Sequence, residues 1–407
     1  MRIVLGILGG LLALIVVAVL ALGMWPVAPD VPQVGAGGKA GDPTPPTSPD
    51  RRGSGRVIVV EAGGSIQAAI DSAQPGDTIR VMPGTYREAL MVQTESLTLE
   101  GVVDGEQRAV IDGQGKDANG LLGVADYLTV TGFKTVNHTS NGMTTQGVTG
   151  QIFRDVITEQ PGDYGFFPVL STDVLIEDSV TTGAIDTGIY VGQSKDIVVR
   201  NNEVYGNVSG IEIENSVDAL VEGNYAHDNT AGILVFLLPG KTATEGARTR
   251  IVNNRIENNN LANFARPEMI VSVVPPGSGI LIIAADETEI TGNTIKGNKS
   301  LAVAIVALTD FGQFFKDAVA NGWDVPVLPE NNWIHGNTYE NNAYDPDPFL
   351  KEAGFGPGQL LWSTAGAGNR WDDAGIAGFP SPLPSSSWPG FLRNAYQRVL
   401  NFAANNL

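Results

Sequence analysis

Residues 188–235 read GIYVGQSKDIVVRNNEVYGNVSGIEIENSVDALVEGNYAHDNTAGILV, and three times in that span a glycine opens a short run of alternating apolar residues. The phrases are Gly188-Ile-Tyr-Val, Gly210-Ile-Glu-Ile and Gly232-Ile-Leu-Val, with Gly279-Ile-Leu-Ile further on. Outward from this block, glycine recurs at Gly120, Gly142, Gly165, Gly188, Gly210 and Gly232 in steps of 22 or 23 residues, and the 23-residue step returns between Gly279 and Ala302. A second apolar run ends in asparagine, as in Ile197-Val-Val-Arg-Asn-Asn and Ala219-Leu-Val-Glu-Gly-Asn. Such a period is too short for two helices and a turn, and alternation of Val, Ile and Thr between Gly and Asn punctuation predicts short strands. The predicted architecture is all-β: a parallel solenoid whose turns stack about 4.8 Å apart, so that eight phased coils span roughly 40 Å. A leucine-rich repeat would need fixed leucine positions that this chain lacks. The dipeptides Asn201-Asn202, Asn253-Asn254 and Asn258-Asn259 read as corner residues, because Asn tolerates the left-handed backbone of a sharp turn.

The ends of the chain carry separate signals. Residues 3–25 form an apolar run behind Met1 and Arg2, long enough to cross a bilayer, so export is expected. Residues 1–25 read as a transmembrane signal anchor, with a cleavable signal peptide as the alternative. Residues 26–55 are rich in Pro, Gly, Ser and Thr and read as an extended linker. Residues 56–344 are then the solenoid and residues 345–407 a cap or tail, where Leu392, Tyr396, Val399, Leu400 and Ala403 fall on one helical face. The protein is expected to sit outside the cytoplasmic membrane, or to be secreted if the signal is cleaved. No cysteine is present, which excludes a disulfide framework and a thiol nucleophile. A net charge of −19 argues against nucleic acid as a partner. The three histidines, His138, His227 and His335, lie in different coils, a poor basis for a transition-metal site.

Ahead of the repeats, Ser65-Ile-Gln-Ala-Ala-Ile-Asp-Ser-Ala has a good N-cap and apolar residues at Ile66, Ala69, Ile70 and Ala73, which predicts a short amphipathic helix covering the first coil. It is followed by Pro75-Gly-Asp-Thr-Ile-Arg-Val-Met-Pro-Gly-Thr-Tyr, read as turn, strand and turn. This helix-strand phrase resembles the N-terminal capping segment of right-handed parallel β-helix proteins of the pectate-lyase-like group. With the repeats, the resemblance covers about Val57 to Asn341. The block from Tyr164 to Asn260 is most similar to a bacterial envelope subfamily of that group. The resemblance implies a right-handed parallel β-helix but no single activity, since such proteins include lyases, hydrolases, epimerases, tailspikes and periplasmic accessory proteins.

Candidate site residues follow from strand alternation. If the residue after each phased glycine points inward, Phe167, Tyr190, Glu212 and Leu234 form one outward row, and Val169, Gly192, Glu214 and Phe236 the row beside it. Aromatic rings beside carboxylates suit sugar rings, whose C–H faces stack while their hydroxyls donate; a solvated acidic strand face is the structural alternative. Asp163 and Asp186 stand 23 residues apart in the same phase and are expected to stack, sharing a proton or helping to hold Ca²⁺, the one cofactor considered. Turn aspartates bonding backbone amides explain them equally. Three insertions interrupt the period near this sheet, at Leu237–Thr249, Ala262–Pro276 and Thr309–Glu330, where a groove wall, or contact with a protein partner, would be built.

Tyr164-Gly-Phe-Phe-Pro-Val169 resembles, in the same repeat phase, the Tyr-Gly-Phe-Asp-Pro-His phrase of mannuronan C5-epimerases. In that family the Asp and His take part in removing and returning the C5 proton; here Phe167 and Val169 occupy those places, and neither exchanges a proton. Tyr164, Asp186 and Arg200 remain as candidate catalytic groups. The expected function is therefore glycan or polysaccharide binding along the exposed parallel sheet at Tyr190, Glu212, Glu214, Phe236 and Phe167. A polysaccharide lyase or epimerase in the same groove, and a scaffold contacting a partner through its loops, stand as alternatives.

Overall fold

The computed structural model describes residues 55–312, 314–352, 356–358, 361–363, 366–373, 376–379 and 381–406. The apolar segment 3–25 and the linker at 26–54 lie outside the described residues. Among the described residues no helix is long and apolar enough to cross a membrane.

A regular turn of chain contributes one strand to each of three parallel sheets, and the terminal turns contribute fewer. The first sheet has twelve strands, from Val57–Val60 to Arg370–Trp371; the second has ten, from Gly84–Tyr86 to Thr338–Glu340; the third has eleven, from Leu90–Val92 to Gly378–Phe379. The turn that starts at Lys195 shows the plan: Lys195–Arg200 in the first sheet, Glu203–Tyr205 in the second, Ser209–Glu214 in the third. Alternation sends Ile189, Ile211, Ile233 and Ile280 of the third sheet inward, where they meet Val199, Val221 and Ile251 of the first and Val204, Ala226 and Ile256 of the second in one continuous core. The solenoid has more turns than the phased glycines imply. It starts with strands such as Leu90–Val92 that carry no glycine at that place, and beyond Asp345 the strands Leu361–Ser363, Arg370–Trp371 and Gly378–Phe379 still pair in register. Short strands with irregular spacing have the pairing but not the pattern.

The helix Ile66–Ser72 is N-capped by Ser65, whose hydroxyl accepts from the Ala68 N–H, and it buries Ile66, Ala69 and Ile70. Ser65, Ile66 and Gln67 all donate to the Glu88 carboxylate, which suits the positive end of a helix.

The phased glycines and the asparagine pairs serve different purposes, and the reading of both asparagines as corner residues is corrected. Gly210 and Gly232 lie within strands and have no left-handed φ; they are needed because a Cβ at either would stand 2.6 Å from the carbonyl oxygen of the glycine one coil on. The asparagine pairs divide their labour. Asn201, Asn253 and Asn258 adopt φ of 55°, 56° and 54°, as corner residues should, whereas their partners turn inward and form buried files. One file runs Asn202, Asn224, Asn254, Asn293, Asn337, and a second runs Asn207, Asn229, Asn259, Asn298, Asn342. Each side-chain oxygen accepts from the backbone N–H of the preceding coil, which satisfies the peptide groups that a corner removes from the sheets.

Candidate functional site

Four consecutive strands of the third sheet build the site: Tyr164–Val169, Thr187–Gly192, Ser209–Glu214 and Ala231–Phe236. Their register stacks Tyr190 on Glu212 and Glu212 on Leu234, and in the next row Val169 on Gly192, Gly192 on Glu214 and Glu214 on Phe236. The two predicted rows exist, but they are not an open face. Tyr190 is 4% exposed, Glu212 1% and Phe236 1%.

The three insertions cover them. Leu237 and Leu238 from the first, Val271 and Val274 from the second and Phe311 and Val325 from the third join Leu234, Phe236, Leu281 and Ile283 in a second apolar cluster outside the sheet. Phe236 is thus core under a roof and does not line the cleft. The first insertion is tied down by Asn215, whose amide donates to the carbonyls of Leu238 (2.8 Å) and Ala243 (2.7 Å). The second is pinned by Arg266 on Asp163 (2.6 Å). Where the roof stops, a cleft of about 460 Å³ remains, floored by Tyr164, Phe167, Asp186, Tyr190, Glu212 and Glu214 and walled by Leu238, Pro239, Lys241, Arg266, Met269, Ile270 and Phe315.

Three rings form one wall of the floor. Tyr164 stacks on Phe167 with centroids 4.5 Å apart, and Phe167 stacks on Tyr190 at 4.9 Å. Each phenol is spent on a carboxylate: Tyr164 donates to Asp186 (2.8 Å) and Tyr190 to Glu214 (2.9 Å), and Lys241 pairs with the same Glu214 oxygen at 3.0 Å. Thr187, fully buried, bridges Asp186 (3.0 Å) and Glu212 (2.9 Å) through its single hydroxyl. One hydroxyl has one proton to give to two carboxyls, so protonation of one of them is favoured. Burial supplies the reason, pushing Glu212 well above the ordinary carboxylate range and Asp186 up to about 6. Burial, first, and then the neighbouring carboxylates also push the Tyr164 and Tyr190 phenols upward, so neither is a base near neutral pH.

Of the residues singled out from sequence, the fold brings together Tyr164, Phe167, Asp186, Tyr190, Glu212, Glu214 and, at the rim, Asp163. It does not bring Arg200, which lies in the first sheet and pairs with Glu177 at 2.6 Å beside Arg154. Asp163 and Asp186 are stacked, the Asp186 N–H donating to the Asp163 carbonyl at 3.2 Å. Asp163 is held by Arg266 and Ser140, and Asp186 by Tyr164 and Thr187. Among the described residues no group of three His, Asp or Glu side chains is placed to hold a metal ion. Sequence reasoning missed Thr187, Lys241 and Arg266. The insertions that carry the two cations were recognisable by length, but nothing local marked which residue reached the cleft.

A family model described as "Right handed beta helix region" matches residues 136–344, just over half of the chain. The chain belongs to this right-handed β-helix family. Among solved structures, this β-helix is similar to the A-module of mannuronan C-5 epimerase AlgE6 from Azotobacter vinelandii, at 15% identity and a TM-score of 0.56, over 79% of this chain and 92% of the module. The AlgE4 A-module from the same organism aligns at 18% identity with a TM-score of 0.48, over 79% of this chain and 95% of that one. An alginate lyase from a Paenibacillus species aligns at 17% identity and 0.48, over 70% and 97%. The likeness to the AlgE6 module is one of fold. No curated protein matches the sequence significantly.

Proposed function

We propose that this right-handed β-helix binds a glycan in the cleft over its third sheet. One observation carries the reading: the Tyr164–Phe167–Tyr190 ring platform lies beside Asp186 and Glu212, two carboxyls with few protein partners, under a roof of inserted loops. Rings stack on the apolar faces of a sugar, and carboxyls accept from its hydroxyls or donate to its oxygens. By its name the structurally similar AlgE6 module is an epimerase of mannuronan, which supports a polysaccharide as the class of partner here. The apolar run at 3–25 and the linker at 26–55 support an exported protein held at the outer side of the cytoplasmic membrane, where such glycans are met.

Catalysis in the same cleft is the second reading. It is favoured by the burial that raises Asp186 and Glu212 toward the protonated form, since a protonated buried carboxyl is a general acid. It would not be the epimerase chemistry of the Tyr-Gly-Phe-Asp-Pro-His phrase, because Phe167 takes its place in the ring platform and Val169 has no proton to move. The test is a glycan-array screen of the full-length protein, with Phe167→Ala and Glu212→Gln scored on every hit. Each variant is expected to weaken binding by about 1–3 kcal/mol, the range for a lost ring contact or buried hydrogen bond. Affinity unchanged in both variants would move the site away from this cleft. Product release from a bound oligosaccharide, lost in Glu212→Gln, would establish the catalytic reading.

A further inference from the structure

The charges of the cleft do not balance, and the imbalance selects a ligand. Four carboxyl groups line it, Asp163, Asp186, Glu212 and Glu214, against two cations, Lys241 and Arg266. Both cations are committed: Lys241 to Glu214 at 3.0 Å, and Arg266 to Asp163 at 2.6 Å and Glu268 at 3.1 Å. Asp186 and Glu212 have no cation at ion-pair distance among the described residues; their partners are the hydroxyls of Tyr164 and Thr187. Glu212 is 1% exposed, and its one described hydrogen bond uses Oε2, which leaves Oε1 in this cleft-lining residue with no described hydrogen-bond partner. A carboxylate acceptor in that state can take a donor from a ligand. The rings of Tyr164, Phe167 and Tyr190 beside it present faces that attract positive charge.

We propose that the glycan bound in this cleft carries a free amino group, an amino sugar in its ammonium form, with the ammonium received between Glu212 and Asp186 and the sugar ring against Phe167 and Tyr190. This rests on the glycan-binding reading and narrows it. A polyuronate is disfavoured in the same place, because its carboxylates would meet two carboxyls with no cation to spare. An N-acetylated sugar has lost the charge and two of the three donors that match the acceptors. An ammonium needs only two or three acceptors and an aromatic wall, which this cleft provides, whereas no three described carboxylates or histidines converge as a metal would require.

The same geometry makes binding proton-linked. In the empty cleft burial and the facing charges of Asp186, Glu214 and Asp163 favour a proton on the Asp186–Thr187–Glu212 unit, against the opposing pull of Lys241 and the hydroxyls of Tyr164 and Thr187. An arriving ammonium supplies the missing positive charge, so that proton leaves to solvent as the ligand binds. Affinity therefore rises with pH through the titration of the pair and falls again when the amine itself deprotonates.

The experiment is calorimetric titration of the full-length protein with three probe classes of equal length: de-N-acetylated oligosaccharides (β-1,4-glucosamine and α-1,4-galactosamine tetramers), their N-acetylated counterparts, and oligogalacturonate. The amino oligosaccharide is expected to bind at least tenfold tighter than its acetylated form, to release a proton measurable as a heat that differs between two buffers, and to lose that preference in Glu212→Gln. Circular dichroism confirms that the variant, which keeps size and one acceptor, is folded. Equal or tighter binding of the acetylated sugar or of oligogalacturonate overturns the amino-sugar inference and leaves glycan binding intact. A heat from CaCl₂ alone that vanishes in Glu212→Gln overturns it in favour of a metal. Failure of every oligosaccharide here and across the array overturns the glycan reading with it.

Discussion

Replacing Asn229 with leucine tests whether the buried amide files hold the solenoid together. Asn229 is fully buried. Its Oδ1 accepts from the Asn207 N–H at 3.0 Å, and its Nδ2 donates to the Val204 carbonyl at 3.0 Å and to Asn259 Oδ1 at 2.9 Å. Leucine has nearly the same volume, so the change is not a cavity. It leaves the Asn207 N–H buried with no acceptor, at about 1–3 kcal/mol, and removes donors from Val204 O and Asn259 Oδ1, each about 1 kcal/mol. Asn207 Nδ2 keeps the Thr181 carbonyl at 3.3 Å, and the Asn229 N–H keeps Asn259 Oδ1, so neither adds to the total. The expected loss is about 3–5 kcal/mol, or about 4–7 °C in melting temperature from the usual entropy per residue of a chain this size. The comparison is Asn201→Ala. This corner residue has an exposed side chain and φ of 55°, where only the left-handed penalty of about 1 kcal/mol is at stake. Scanning calorimetry or circular-dichroism melts of both variants decide the matter. If the two variants melt within 1 °C of each other, the files are ornament and the corner conformation alone matters.

Three further outcomes are expected. Burial, with Glu330, Glu287 and Glu245 nearby, pushes Asp286 up from its ordinary 3.8 to about 7, so its contribution to stability is full below about pH 4 and is lost as pH rises through 7. Asp286→Asn, which keeps the acceptor for the Glu330 N–H, should therefore melt higher than the parent at about pH 8 and converge with it on acidification; parallel melting curves across that range would refute the assignment. Gly210→Val places a Cβ 2.6 Å from the Gly232 carbonyl and 3.0 Å from Val204, an overpacking expected to cost about 1–3 kcal/mol in a chemical melt, and an unchanged midpoint would show that the coils are not in van der Waals contact there. The fragment from Arg56 to Leu407 should be soluble and give a β-dominated circular-dichroism spectrum, since all the membrane-length apolar sequence precedes it; a helical spectrum contradicts the fold.

Much of the architecture was legible because a solenoid repeats its physics. A period of 22 or 23 residues with an inward apolar residue after each phased glycine dictates which side chains meet the core, and stacking by one coil turns sequence phase into spatial register. The rows Phe167–Tyr190–Glu212–Leu234 and Gly192–Glu214–Phe236 follow from that phase alone, as does the nearness of Asp163 to Asp186. What the phase cannot say is what lies above an outward-facing row. Whether Glu212 is a solvated surface acid or a buried proton holder depends on loops from 237–246, 258–277 and 307–332 folding over the sheet, and their contacts span up to about a hundred residues, as from Arg266 to Asp163. The second asparagine of each pair was misread for the same reason: a corner predicts a turn residue, but only the neighbouring coil offers the amide that pulls the side chain inside. Local periodicity thus determined the rod, its register and the residue types on each face. Tertiary packing of the aperiodic insertions decided which part of one face became core, which part stayed open as a cleft, and which carboxyls there have hydroxyls instead of cations as their described partners.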